Sequence, residues 1–163
     1  MNFAITQLSL NTCKRKIHFL TQIYWETKLF GTTYEGSSNN YEGGNFYQGR
    51  GFLQLTGKTY NYIPFYKSIY FTEPDAKTLE KFVSTIATSM EWAMKSAIWY
   101  WKTNKINDYA DQDDVDRVSA AVNFPQRLKE QPFTTNGMYG VLERRRYCFL
   151  FKSIFDYENC DSN

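Results

Sequence analysis

The sequence predicts a mainly α-helical, single-domain protein. Three observations carry that prediction. Apolar residues recur at alternating steps of three and four across residues 77–104, polar caps stand before shorter runs of the same period, and no alternating run is long enough for a sheet. At 163 residues the chain can bury a core without staples, and it shows no internal repeat or low-complexity linker. One domain over 1–163 is expected, with its core at about 12–157.

The first helix is read from "TCKRKIHFLTQIYWET", where Ile17, Leu20, Ile23 and Tyr24 share a face and Thr12 stands as N-cap. It ends near Glu26. From Lys28 to about Thr59 the chain is rich in Gly, Ser, Asn and Tyr and predicts no regular element; irregular stretches of that length are often functional. The run "KTLEKFVSTIATSMEWAMKSAIWYWKTN" puts Leu79, Phe82, Val83, Ile86, Met90, Ala93, Met94, Ala97, Ile98 and Trp101 on one stripe, which predicts a single central core helix. "DQDDVDRVSAAVN" opens a shorter helix with an Asp cap and an acidic first turn, apolar at Val115, Val118 and Val122. After a proline-containing link, "GVLERRRYCFLFKSIF" predicts a last helix running through Leu142, Phe149 and Phe155.

Composition removes several classes of function. A net charge of +2 supplies no basic stripe of the kind a dedicated nucleic-acid binder carries, so no nucleic-acid partner is expected. Aromatic residues make up 18% of the chain, with thirteen Tyr, and an excess of tyrosine suits a surface that both stacks on a ligand and hydrogen-bonds to it, as sugar-binding clefts do. Compositional drift explains the same excess. Cys13, Cys148 and Cys160 with one histidine show neither CxxC nor HxxxH spacing, so neither metal nor organic cofactor is expected. An odd count leaves one thiol unpaired within the chain; a Cys148–Cys160 bridge is conceivable, and sequence alone does not establish it. The basic residues of "MNFAITQLSLNTCKRK" follow the apolar part, and no small-residue cleavage site precedes the helix. With no apolar run of membrane-spanning length, the expectation is a monomer made in the cytoplasm without a signal peptide or membrane insertion, carried elsewhere by other means.

The segment "GNFYQGRGFLQLTGKTYNY" invites a phosphate-binding reading. Gly51, Gly57, Lys58 and Thr59 give a P-loop one residue too long, with no strand and helix around it, so that reading fails.

Two carboxylates stand where the first helix meets the irregular stretch, Glu26 in "YWETKLFGTTYEG" and Glu35 nine positions on. Glycoside hydrolysis needs one carboxyl to protonate the leaving oxygen and a second to act on the opposite face of the sugar. On a continuous helix they would stand roughly 13 Å apart along the axis. Gly31 and Gly36 are the residues expected to let the chain reverse. Trp25 and Tyr24 beside Glu26 favour its protonated form, and the Thr and Gly neighbours of Glu35 favour the ionised one.

The run "HFLTQIYWET", a glycine-bearing link to a second acid, and then "YQGRGFLQLTGKTYNY" resemble the catalytic region of the family-19 glycoside hydrolases, which include plant-type chitinases and peptidoglycan-cleaving endolysins. "SAIWYWKTNKINDYADQDDVDRVSAAVN" and "NGMYGVLERRRYCF" are similar to the elements that follow in the endolysin branch, so the likeness runs from about Ile17 to Phe149. It implies a lysozyme-like helical fold and an inverting reaction, with Glu26 as general acid and Glu35 as base; Glu42 is the fallback base. The resemblance places substrate contacts on Tyr47, Arg50, Gln54 and Thr56, with Arg50 structural rather than catalytic and Thr56 partly holding the attacking water. Inversion asks for carboxyls about 6.5 to 9.5 Å apart.

Three departures stand out. Trp25 replaces the family's histidine beside the acid. The family's Asn-Tyr pair falls one position late, at Asn61 and Tyr62, so either a local bulge restores Asn61 or Tyr60 takes over its contact. Around Asn123, a further contact by resemblance, the family's glycine pair is missing. The expected function is a peptidoglycan hydrolase acting on glycan strands in the periplasm or on the cell wall, as an endolysin or as a secreted antibacterial effector with a cognate immunity protein. The alternatives are a chitinase and a non-catalytic cell-wall-binding module.

Overall fold

The structure, a computed structural model, describes residues 9–36 and 41–160. Among these residues it is mainly helical, with α1 (Cys13–Glu26), α2 (Ile63–Tyr70), α3 (Ala76–Thr88), α4 (Met90–Thr103), α5 (Asn107–Ala110), α6 (Val115–Asn123) and α7 (Val141–Ile154), and no strand. The described residues divide into two compact units. One is built from the chain up to Trp25 and from Trp101 onward, the other from Glu26–Tyr100.

In the first unit, Thr12 caps α1 as expected. Its hydroxyl accepts from the Arg15 amide at 3.3 Å, a contact that stabilises a helix start by about 1 kcal/mol. The buried face of α1 carries Ile17, Phe19, Leu20 and Ile23, and Phe19 meets Trp101 edge-on at 5.1 Å. Asp114 caps α6 by accepting from the Arg117 amide at 2.9 Å, and Val118 and Val122 are buried.

Polar side chains are buried in the same unit. His18 donates from Nε2 to Asp113 at 2.9 Å, and the same carboxylate accepts from Lys152 at 2.5 Å and from the Tyr157 hydroxyl at 3.3 Å. Burial lowers the His18 pKa more than Asp113 raises it, so the ring is held neutral. Burial also pushes the Asp113 carboxyl up, but the bonds from Lys152 and His18 outweigh it and leave that pKa lowered. Arg144, fully buried, donates to Gln22, whose amide nitrogen donates in turn to Ser119 at 3.3 Å.

Two expectations for this unit are corrected. The inward residues of α7 are Val141, Arg144 and Cys148, whereas Leu142 and Phe149 are 69% and 76% exposed and Phe155 is exposed too. The helix is apolar on both sides, and the side that packs carries a buried arginine, a residue type that sequence patterning places outside. The disulfide joins Cys13 to Cys160, not Cys148 to Cys160. Cys148 stays a buried free thiol in the same cluster with Ile17, its pKa pushed up to about 11 by burial.

The second unit packs an aromatic core of Tyr47, Tyr62, Phe65, Tyr66 and Phe82 with Leu55, Leu79, Val83 and Ile86. Much of the aromatic surplus is therefore structural; Tyr60, at 74% exposure, is not. The single helix expected across 77–104 is two. Ser89 is extended at φ −119 and ψ 120, ending α3, and its hydroxyl accepts from the Trp92 amide to open α4. Thr85 and Thr88 already turn their hydroxyls onto backbone carbonyls one turn back, so the helix breaks where such side chains cluster. Met90, placed on the buried stripe by its spacing, is exposed as a result.

Candidate active site

Glu26 is the last residue of α1 and half-buried. Its charge is felt by Tyr100, whose hydroxyl is pushed up to about 12, first by burial and then by Glu26. Beyond it the chain turns at residues not expected to turn it. Lys28, Leu29 and Phe30 lie consecutively at φ 50, 64 and 63, a left-handed turn built without glycine, whereas Gly31 is not left-handed. Bonds from the Gly31 and Thr32 amides to the Thr27 carbonyl, at 2.9 and 3.0 Å, hold it closed, and the Phe30 amide donates to the Thr27 hydroxyl at 3.0 Å. Side chains in the left-handed helix cost roughly 1–2 kcal/mol each. Gly36, at φ 67, is left-handed.

Glu35 is fixed from three directions. The Glu35 amide donates to the Gly49 carbonyl at 3.0 Å, the Gly51 amide to Thr33 at 2.8 Å, and an antiparallel bridge joins Tyr34 to Arg50 between them. The Gly49 amide donates back to Glu35 Oε2 at 3.0 Å. The Tyr41 hydroxyl lies 2.6 Å from both carboxylate oxygens. A carboxylate so held keeps one orientation, the property a general base needs.

Gln54 comes to the same place. Arg50 and Leu55 exchange backbone bonds at 3.1 and 2.8 Å, closing a tight loop in which Gln54 takes φ 49. Its amide nitrogen donates to the Gly51 carbonyl at 2.8 Å. A Cβ on Gly49 would stand 2.8 Å from Gln54 Oε1 and 2.9 Å from Glu35 Oε2, so these two expected site residues converge across one glycine. Gly51, at φ 79, is required next to it, because a Cβ there would stand 2.4 Å from Ser96 Oγ.

The remaining expected residues divide. Arg50 is buried and donates to the Phe46 and Gln48 carbonyls, with Tyr34 and Phe46 rings against its guanidinium, so it holds the loop. Tyr47 is buried in the core, its ring beside Tyr62. Residues Lys58–Tyr62 form one turn of π-helix, with the Tyr62 amide on Gly57 and the Ile63 amide on Lys58, each five residues back. Such a bulge accommodates one surplus residue. Asn61 then donates to the Thr56 carbonyl at 2.7 Å, and Tyr60 points outward, exposed. Glu42 serves this turn: its carboxylate accepts from the Thr59 amide at 2.6 Å and hydroxyl at 2.8 Å, which with the Tyr60 amide and Lys58 lower its pKa.

Trp25 and Asn123 belong to the first unit. The Trp25 indole lies on the backbone of Gly140, where a Cβ would stand 2.4 Å from Nε1. Asn123 is exposed as the last residue of α6.

Sequence reasoning missed Tyr41. The signal was present, since "YEG" occurs at Tyr34 and again at Tyr41, and the second tyrosine holds the first glutamate. Among the described residues, no group of His, Cys, Asp or Glu could hold a metal ion, and no helix is long and apolar enough to cross a membrane.

The described residues thus bring an immobilised carboxylate beside a glutamine. The chain is similar to a glycosyl hydrolase family 19 domain-containing protein of Haemophilus influenzae (strain ATCC 51907 / DSM 11121 / KW20 / Rd), 27% identical over 113 residues, which cover 69% of this chain and 43% of that protein. The chain thus matches less than half the length of that relative. No protein-family model and no solved structure matches it.

Proposed function

We propose that the protein is a glycoside hydrolase that cleaves β-1,4 bonds between the N-acetylated amino sugars of peptidoglycan, with inversion. The observation that carries this reading is Glu35, held at both oxygens by Tyr41 and at Oε2 by the Gly49 amide. Glu26 protonates the leaving oxygen as the bond from that oxygen to the anomeric carbon breaks. Glu35 takes a proton from the water that attacks the same carbon from the opposite face. Two carboxylates suffice for this chemistry. The Cys13–Cys160 disulfide supports an oxidising site of action, such as the periplasm or cell wall. The chain reaches it by phage lysis or through a secretion apparatus, and in the second case a small immunity protein covers the site in the producing cell. Chitin is the alternative substrate.

A second reading, a wall-binding module without activity, is favoured by Trp25, which packs on Gly140 where the similar family has a histidine. One experiment separates the two. Purified peptidoglycan is incubated with wild type, Glu26→Gln and Glu35→Gln, and the released fragments are reduced and identified by mass spectrometry. Muropeptides from wild type alone, with both variants folded and still bound to the wall, are the expected result. Fragments from none of the three, with chitin oligomers also intact, would leave the binding module.

A further inference from the structure

We infer that Trp25, Tyr139 and Tyr147 form a carbohydrate-binding strip on the first unit, on which a strand of N-acetylated amino sugars stacks. The inference takes its ligand class from the wall-glycan reading above and uses neither Glu26 nor Glu35, so it stands apart from the cleavage chemistry. It also gives a use to Trp25, which occupies the place of a histidine in the similar family.

The three rings meet where α1 ends and α7 begins. The Trp25 centroid lies 6.0 Å from that of Tyr139 and 6.2 Å from that of Tyr147, with planes inclined by 45° and 38°. Trp25 thus has a tilted tyrosine on each contact, and neither is edge-on to the indole. Tyr139 is 74% exposed, and Trp25 and Tyr147 are half-buried. Behind them the contacts become perpendicular: Tyr147 meets Tyr24 at 4.9 Å and 89°, and Tyr24 meets Phe151 at 5.5 Å and 79°. Such edge-to-face pairs anchor the back of the strip.

The indole is held in place from below. Gly140 precedes α7 at φ 73, and the edge of Trp25 lies so close to its backbone that a Cβ would stand 2.4 Å from Nε1 and 2.5 Å from Cε2. Rings fixed in this way lose little freedom when a ligand covers them.

The polar ends of the rings decide what kind of ligand fits. The Trp25 N–H and the Tyr139 and Tyr147 hydroxyls have no hydrogen-bond partner among the described residues, and none of the three is sealed from solvent. A surface that meets lipid or an aliphatic protein face has no use for such groups. A pyranose uses both parts, because its C–H faces stack on a ring while its hydroxyl and acetamido groups bond at the rim.

The test is binding to purified peptidoglycan, by sedimentation, and to soluble N-acetylglucosamine oligomers, by calorimetry. Both are measured in a Glu35→Gln background that leaves the ligand intact. Adding Tyr139→Ala is expected to weaken binding to both about tenfold. Tyr139→Phe and Trp25→Phe, which keep a ring and lose one donor, should each weaken it about threefold. Tyr139 is a surface residue, so its two variants carry the test if Trp25→Phe does not fold. Affinity within twofold of the parent in Tyr139→Ala, or a parent that binds neither glycan, would overturn the inference. Loss in Tyr139→Ala without loss in Tyr139→Phe would also overturn it, because the hydroxyl would have no role; phosphatidylglycerol vesicles then test a lipid surface in its place. Turnover of wild type and of Tyr139→Ala is read separately. An inactive wild type whose binding still depends on Tyr139 removes the glycosidase reading alone, and an active one whose Tyr139→Ala variant binds unchanged removes this inference alone.

Discussion

Reducing the Cys13–Cys160 disulfide is expected to destabilise the protein by about 5 kcal/mol. The bond spans 147 positions, and the chain-entropy relation for a loop of that length gives about 5 kcal/mol at 25 °C. The packing around the sulfurs does not depend on the bond. Ile17 and Cys148 surround Cys13, with Val115, Phe151, Tyr157 and Cys160 against them, so the loss falls mainly on the freedom regained by the unfolded chain. Domains of this size are typically stable by about 5–15 kcal/mol, so the reduced protein stands close to unfolding. The assay is urea unfolding followed by tryptophan fluorescence, with and without a phosphine reductant, in a Cys148→Ser background that prevents exchange with the buried thiol. With a slope of about 2 kcal/mol per molar, the midpoint should fall by about 2.5 M. A fall of less than about 0.5 M, or peptide mapping that finds Cys148 bonded to Cys160 in the wild type, would refute the reasoning.

Three further outcomes follow from side chains already placed. His18 is the chain's sole histidine, and its folded pKa is lowered from 6.5 by burial, against the raising effects of Asp113 and Asp114 and with a small lowering from Lys152. The unfolded chain takes up that proton first, so stability is complete above pH 6.5 and declines as pH falls from there toward the folded pKa; equal slopes of unfolding free energy between pH 7.5 and 5.5 in wild type and His18→Gln would count against it. Glu42→Gln should keep turnover on peptidoglycan within twofold while Glu35→Gln loses several orders of magnitude, because Glu42 is occupied by Thr59 at the π turn; comparable losses in both would move the base to Glu42. Gly51→Ala should lose about 3 kcal/mol in urea unfolding, combining left-handed strain at φ 79 with a methyl 2.4 Å from Ser96 Oγ, and a loss under about 1 kcal/mol would mean that the loop relaxes freely.

Local chemistry was legible where one residue type decides an element. Thr12 and Asp114 marked helix starts, and the stripe through Leu79, Phe82, Val83 and Ile86 marked a buried face. What sequence did not disclose depends on competition between elements. The break at Ser89 is invisible to periodicity because the apolar spacing continues across it. The packed side of α7 is hidden by a buried Arg144 whose partner Gln22 stands 122 positions earlier. At the site, Glu35 and Gln54 were found as residue types, but their convergence over Gly49 and the hold exerted by Tyr41 are products of chain pairing that no spacing rule encodes.

The π turn at Lys58–Tyr62 bears on how the chain can be edited. A deletion inside an ordinary α-helix rotates every later side chain by about 100°. Here the turn already contains one residue more than an α turn would, and Thr59 and Tyr60 within it are exposed. Removing Tyr60 lets the same segment close with bonds four residues back, so α2 can keep its register while Asn61 shifts against Thr56. Length, separately from residue identity, is thus an adjustable quantity at this one edge of the candidate site.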